Sequence, residues 1–171
     1  MEATILAAPT DREHAISYLY RENYERMVRL AFLMTSDREL AEEVVQEAFV
    51  KVWKGWSRIL KDGAAPAYLR TAVVNQSRSR LRRRQLESTR KPKFDPLPSD
   101  PEAARRIDIG RVLLSLPQRQ RACVVLRYYE DLSEQQCAEI LGVKLGTIKS
   151  QTHKGLKNLQ KQLGGVADGI R

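Results

Sequence analysis

Leu132-Ser133-Glu134-Gln135-Gln136-Cys137-Ala138-Glu139-Ile140-Leu141-Gly142-Val143-Lys144-Leu145-Gly146-Thr147-Ile148-Lys149-Ser150 is the stretch that decides the architecture. Ser133 followed by Gln136 has the form of a capping box, in which each side chain satisfies a backbone donor left open at a helix start. A short helix is expected from Glu134 to Leu141, with Gly142 ending it. A second helix is expected to begin near Lys144 or Leu145. Two helices joined by a tight glycine-containing turn form a helix-turn-helix. In the second helix Ile148, Leu156, Leu159 and Leu163 are expected to point inward. Lys149, His153, Lys157 and Lys161 repeat every fourth residue on the outside, joined by Ser150, Gln151 and Lys154. Between Lys144 and Lys161 the chain has five lysines and no acid. A merely solvated bundle helix ordinarily mixes in Glu partners for its lysines, so their absence favours a phosphate-binding face. Upstream, Pro117 suits a first helical turn, and Ala122, Val125, Leu126 and Tyr129 give the spacing of one inward face.

Towards the N-terminus, residues 86–104 hold Pro92, Pro96, Pro98 and Pro101, each lacking a backbone donor and restricting the residue before it. This reads as a flexible linker between a first domain at 1–85 and a second at 105–171. Neither flank shows a run of alternating β-branched residues, so an all-α protein of two small helical domains is expected.

In the first domain Ile16, Leu19, Met27, Leu30, Ala31 and Met34 outline one face of a helix ending near Thr35. Ser36 with Glu39 reads as a capping box opening a second helix, whose core face is Ala41, Val44, Val45, Ala48 and Val52. Phe49, Trp53 and Trp56 form an aromatic edge. Between Asp37 and Val50 there are five acids, Asp37, Glu39, Glu42, Glu43 and Glu47, against Arg38 alone. Such a face would repel DNA. After a loop through Ile59 to Pro66, a third helix is expected from near Ala67 with the opposite character. From Arg70 to Lys93 the bases Arg70, Arg78, Arg80, Arg82, Arg83, Arg84, Arg90, Lys91 and Lys93 face only Glu87. Leu69, Val73 and Leu81 continue a helical pattern through the dense part, which favours a fixed phosphate-binding face over a solvated charge run.

The whole chain of 171 residues carries a formal net charge of +9, which points to a polyanionic partner. The opening residues lack a basic region and a long apolar run, and no later stretch reaches a membrane span, so a cytoplasmic protein without membrane contact is expected. Cys123 and Cys137 are too few for a disulfide framework or a zinc site and read as buried reduced thiols. No metal or cofactor is expected. Catalytic signatures are missing: there is no H-E-x-x-H and no G-x-S-x-G, and Gly142 to Ser150 has the wrong spacing for a phosphate loop. A non-enzyme is expected.

Leu132 to Ser150 resembles the L-S-x-x-x-x-A-x-x-L-G-V-x-x-G-T-V/I-K-S signature of region 4 in extracytoplasmic-function sigma factors of the sigma-70 family. Leu116-Pro117-Gln118-Arg119-Gln120-Arg121 is similar to that family's L-P-x-x-x-R segment. Ala41-Glu42-Glu43-Val44-Val45-Gln46-Glu47-Ala48-Phe49 resembles region 2.2. Tyr68-Leu69-Arg70-Thr71-Ala72-Val73-Val74-Asn75, followed by Arg82-Arg83-Arg84, resembles regions 2.3 and 2.4. The motifs stand in the family's order across nearly all of the chain.

The resemblance implies a factor that brings core RNA polymerase to promoters and helps open the DNA. Glu43, Gln46, Glu47, Phe49 and Trp53 become candidate contacts to the polymerase β′ clamp. Asn75, Arg78, Arg80, Arg82 and Arg83 become candidates for the minus-10 element. Lys149, Ser150, Gln151, His153, Lys154 and Lys157 become candidates for the minus-35 element, with the body of region 4 docked on the β flap. An anti-sigma protein is a further implied partner. Three positions depart from expectation. Ser79 stands where relatives often carry an acid, and Gln151 where they often carry Arg. Gly155 sits inside a helix at a cost of about 1 kcal/mol against Ala.

Overall fold

The computed structural model describes residues 11–62, 64–87 and 110–168, without the side chains of 60–62 and 165–168. Among these residues every regular element is a helix. The first half contains α1 (Asp11–Thr35), α2 (Arg38–Asp62) and α3 (Ala65–Leu86). The second contains α4 (residues 110–114), α5 (Gln118–Tyr128), α6 (Glu134–Leu141) and α7 (Leu145–Asp168). Most of the Pro-rich stretch, residues 88–104, lies outside the described residues.

Apolar periodicity builds the first half. Leu19, Met27, Leu30, Ala31 and Met34 of α1 meet Ala41, Val44, Val45, Ala48 and Val52 of α2, and Leu69, Val73 and Val74 of α3 close the bundle. All are buried, and each large one contributes on the order of 2 kcal/mol by leaving water. The turn from α1 to α2 differs from expectation. Asp37, not Ser36, caps α2: its Oδ1 accepts from the Leu40 amide at 2.9 Å, and its carbonyl accepts from the Ala41 amide at 2.9 Å. Ser36 adopts a left-handed conformation, φ 51°, and its hydroxyl donates to the Gly110 carbonyl at 3.0 Å. The third helix starts slightly earlier than its periodicity suggests, at Ala65, because Pro66 fits a first turn that needs no amide donor.

The second half packs α7 against α5 and α6. Ser133 and Gln136 make the full capping box, with the Gln136 amide donating to Ser133 Oγ at 3.1 Å and the Ser133 amide to Gln136 Oε1 at 2.9 Å. Gly142, at φ 65°, ends α6 in the left-handed geometry that only glycine adopts without strain. The Val143 amide then returns to the Ala138 carbonyl at 3.1 Å. Pro117 stands one residue before α5, where its carbonyl accepts from the Arg121 amide at 3.0 Å. Two expected inward residues are exposed, Tyr129 and Leu163, the latter 57% accessible.

Gly155 has a clear reason. A Cβ there would lie 2.7 Å from Val124 Cγ2 and 3.4 Å from both the Cβ and the carbonyl oxygen of Gln120. The missing side chain lets α5 and α7 approach closely. Cys123 and Cys137 are both buried free thiols.

Candidate nucleic-acid interface

At 3.6 residues per turn, Lys149, Ser150, His153, Lys154, Lys157 and Lys161 fall on one side of α7. All are exposed, whereas Ile148, Thr152 and Gly155 on the opposite side are buried. Lys149 reaches Glu134 of α6 at 3.8 Å, a loose surface ion pair. Ser150 Oγ donates to its own helix, at the Thr147 carbonyl, 3.1 Å away. Gln151 is half-buried at the edge of this face, next to Asn158, whose amide donates to Gln120 Oε1 at 2.8 Å. Among the described residues, Lys154 and Lys157 have no acidic partner.

The basic helix α3 runs antiparallel to α2, and this pairing divides its arginines. Arg84 donates to Asp37 at 2.7 Å, and Arg80 pairs with Glu47 and, at 3.9 Å, with Glu43. Gln76 adds a bond to Glu47 at 2.6 Å. Arg80 therefore faces the acidic helix of its own chain, away from the outer side of α3 on which it was expected to hold DNA. Asn75, Arg82 and Arg83 are exposed on that outer side. Arg78 shares it but is half-buried, donating to the Leu141 carbonyl at the C-terminal end of α6, 3.3 Å away. Burial, reinforced by repulsion from Arg82, lowers the pKa of its guanidinium.

On α2, Glu43 and Gln46 are exposed and Glu47 is half-buried beneath Arg80. Trp53 is exposed at its edge, with the Arg12 guanidinium 4.1 Å over its ring and donating to its carbonyl. Phe49 is only 7% accessible, its ring 4.9 Å from Tyr20. It supports the surface from below, with little of its ring open to a partner. Tyr20, stacked on Tyr24 at 4.7 Å, takes its place at the surface, with Tyr18 and Val50 as further exposed apolar groups. The Ser-Tyr-Leu-Tyr run of α1 held this signal, since its aromatic residues lie off the apolar stripe that builds the core.

Two charged residues lie between the halves: Glu130, which the sequence did not single out, and Arg121, which it marked only as the last residue of the L-P-x-x-x-R segment. The Glu130 side chain is fully buried, and its Oε2 lies 3.0 Å from Arg26 of α1 and 2.7 Å from Arg70 of α3. The Arg26 contact is a hydrogen bond; the Arg70 Nε–H is not aligned for one, so that contact is an ion pair. Arg121 of α5, 5% accessible, donates to the Met34 carbonyl in the last turn of α1 at 2.9 Å. Burial pushes its pKa down to about 10, which leaves it charged at neutral pH. It thereby supplies a cation to a helix C-terminus, where free carbonyls and the helix dipole favour one. Among the described residues no cluster of His, Cys, Asp or Glu could hold a metal ion, and no helix is long and apolar enough to cross a membrane.

The chain is 32% identical over 174 residues to the ECF RNA polymerase sigma factor SigM of Mycobacterium tuberculosis, covering 99% of this chain and 88% of that one. It is 30% identical over 146 residues to the RNA polymerase sigma-E factor of Streptomyces coelicolor, covering 84% and 82%. Among solved structures it is similar to the sigma factor RpoE of Bartonella quintana, determined in complex with the anti-sigma factor NepR. That likeness has a TM-score of 0.76 at 22% identity and covers 88% of this chain and 97% of that one. CnrH, determined with the cytosolic domain of CnrY, is similar with a TM-score of 0.66 at 20% identity over 89% of each chain. Residues 19–87 match the Sigma-70 region 2 family and residues 106–159 the Sigma-70 region 4 family, in the order the helices take along the bundle. The chain belongs to the extracytoplasmic-function sigma factors of the sigma-70 family, which direct RNA polymerase to promoters.

Proposed function

We propose that α7 reads the minus-35 element in the major groove while the outer side of α3 holds the opened minus-10 element. The observation that carries this reading is the division of α7. Lys149, Ser150, His153, Lys154 and Lys157 stand clear on one side, and the opposite side is anchored on α5 and α6. A helix held in this way can enter a groove without unfolding, its lysines meeting phosphates while Ser150, Gln151 and His153 address base edges. On α3, Asn75, Arg78, Arg82 and Arg83 supply cations and an amide to separated strands. Strand opening follows if these groups favour unpaired bases over the duplex.

Glu43, Gln46 and Trp53, with Tyr20 and Val50 beside them, form an acidic and apolar face suited to a basic helical surface on the polymerase clamp. Region 4 docks on the β flap. The chain acts in the cytoplasm as a binding and positioning subunit, not as an enzyme. An anti-sigma protein is proposed as a further partner by likeness to the two solved relatives. In vitro transcription with core polymerase on a genomic library tests the reading. Start sites should share a pair of upstream elements at fixed spacing. A folded chain that assembles with core yet initiates nowhere above the core background refutes it.

A further inference from the structure

Arg82 and Arg83 are the arginines of α3 that the chain leaves unanswered. Arg70 pairs with Glu130, Arg80 with Glu47 and Arg84 with Asp37, and Arg78 donates to the Leu141 carbonyl. Among the described residues Arg82 and Arg83 meet no acceptor, and they stand three and four residues after Ser79, one helical turn away. Ser79 differs from the other aliphatic hydroxyls of α3. Thr71 turns back to the Ala67 carbonyl at 3.0 Å, and Ser77 is fully buried. Ser79 is exposed, and its hydroxyl has no partner among the described residues. The helix is also held loosely from this point on. The buried side chains of α3 end at Ser77, and Leu86 is 88% accessible. Beyond Ser77 the ion pairs of Arg80 and Arg84 lie open to solvent and are therefore weak, so this end of the helix can open locally to an enzyme at small cost.

We propose that Ser79 is a phosphorylation site, modified by a serine kinase that reads the surrounding arginines, and that its phosphate closes the outer side of α3 to DNA. The proposal rests on the reading of α3 as a DNA-binding helix. In the transfer the Ser79 oxygen attacks the γ-phosphorus of a nucleoside triphosphate. The bond from that phosphorus to the bridging oxygen breaks, a nucleoside diphosphate leaves, and the hydroxyl proton passes to a base of the kinase. The product carries a charge of about −1.5 to −2 at pH 7. An anion placed one turn before two cations stands in the order a helix favours, and a phosphate can take both guanidinium groups at once. The groups that would meet a DNA backbone are then satisfied within the chain, and the added charge repels the strand.

The test has two arms, both in the full chain. In the first, phosphoserine is introduced synthetically at Ser79 and compared with the parent and with a chain phosphorylated instead at Ser17, which is exposed on α1. Binding of a fluorescent single-stranded oligonucleotide is measured at several salt concentrations. The Ser79 phosphate should weaken binding on the order of tenfold at about 0.1 M salt and lower the magnitude of the salt slope by about 0.7 for each arginine withdrawn. Treatment with a phosphatase should return the parent's affinity, which separates masking from misfolding. Equal losses from the two phosphates, or none from the one at Ser79, overturn the proposal. Arg82→Ala combined with Arg83→Ala shows whether α3 holds the strand. Undiminished binding by that variant refutes the reading of α3 itself, whereas weakened binding there beside an inert Ser79 phosphate refutes the switch alone.

In the second arm, the chain is incubated with radiolabelled ATP and a soluble extract of the cells that produce it. Label should enter at Ser79, as fragmentation in the mass spectrometer would locate it, and Ser79→Ala should lose most of it. Label retained in full by Ser79→Ala, or no label in the parent, overturns the proposal.

Discussion

Replacing Gly155 with alanine sets two effects against each other. On propensity alone the change should stabilise α7 by about 1 kcal/mol. The structure opposes it, because the new methyl group would stand 2.7 Å from Val124 Cγ2, when carbon atoms rest at about 3.5–4.0 Å. Val124 is buried and β-branched, so it has no free rotamer into which to retreat. Gln120 closes the other side with its Cβ and carbonyl oxygen, both at 3.4 Å. Overpacking of this kind costs about 1–3 kcal/mol, so the expected net effect is a loss of roughly 1 kcal/mol. Val124→Ala alone should lose about 1.6 kcal/mol through two missing methyl groups. In the double variant the methyl group introduced on α7 fills part of the vacated space, and the losses should fall short of their sum by at least about 0.5 kcal/mol. Urea titrations of the four proteins, followed by far-ultraviolet circular dichroism, measure each term. A more stable Gly155→Ala protein, or a strictly additive cycle, would show that α5 does not press on α7 at this point.

Other outcomes follow from the same contacts. Asp37→Ala should cost about 1 kcal/mol at neutral pH by removing the cap of α2. Burial raises the Asp37 pKa, but the Leu40 amide and Arg84 outweigh it and hold the group below its usual 3.8. Its contribution is therefore complete above that value and fades as pH falls through the lower folded-state pKa, so acid titration should bring parent and variant together. Glu43→Lys, at an exposed position, should weaken binding to core polymerase in a competition assay with helicity unchanged, and undiminished binding would remove α2 from that surface. Lys149→Ala should reduce the magnitude of the salt slope for promoter binding by about 0.9 while leaving the urea midpoint nearly unmoved, since its ion pair with Glu134 is exposed. Burial, with Cys137 adding to it, pushes the Cys123 thiol up to about 11. The folded chain should resist iodoacetamide at pH 8 and react on addition of denaturant, as mass spectrometry would report.

Features written in neighbouring residues were legible. The Ser133–Gln136 box, the Gly142 stop and the exposed lysines of α7 all depend on spacings of a few residues, and the structure has them where the sequence places them. The start of α2 was misread because the spacing of Ser36 and Glu39 fits a capping box. Asp37 takes the role with Arg84 beside it, while Ser36 turns to Gly110, and neither partner is visible locally. Periodicity continued through Tyr129 and Leu163, but it cannot say where the neighbouring helix stops. The charge runs of α2 and α3 were plain, yet only the antiparallel pairing of the two helices reveals that Arg80 and Arg84 are neutralised within the chain. The contacts of Glu130 and Arg121 were illegible for the same reason. Their partners, Arg26 and Met34, lie 104 and 87 residues away.

Helix α5 touches α1 and α7 within a single turn of itself. Arg121 hooks the first half, and Val124, three residues on, lies against Gly155 of α7. Both contacts ride on one short helix, so a substitution that displaces α5 at Arg121 should be felt at Gly155 as well. If α7 binds DNA as proposed, the seat that holds its lysines is set in part by a residue that grips the far end of α1.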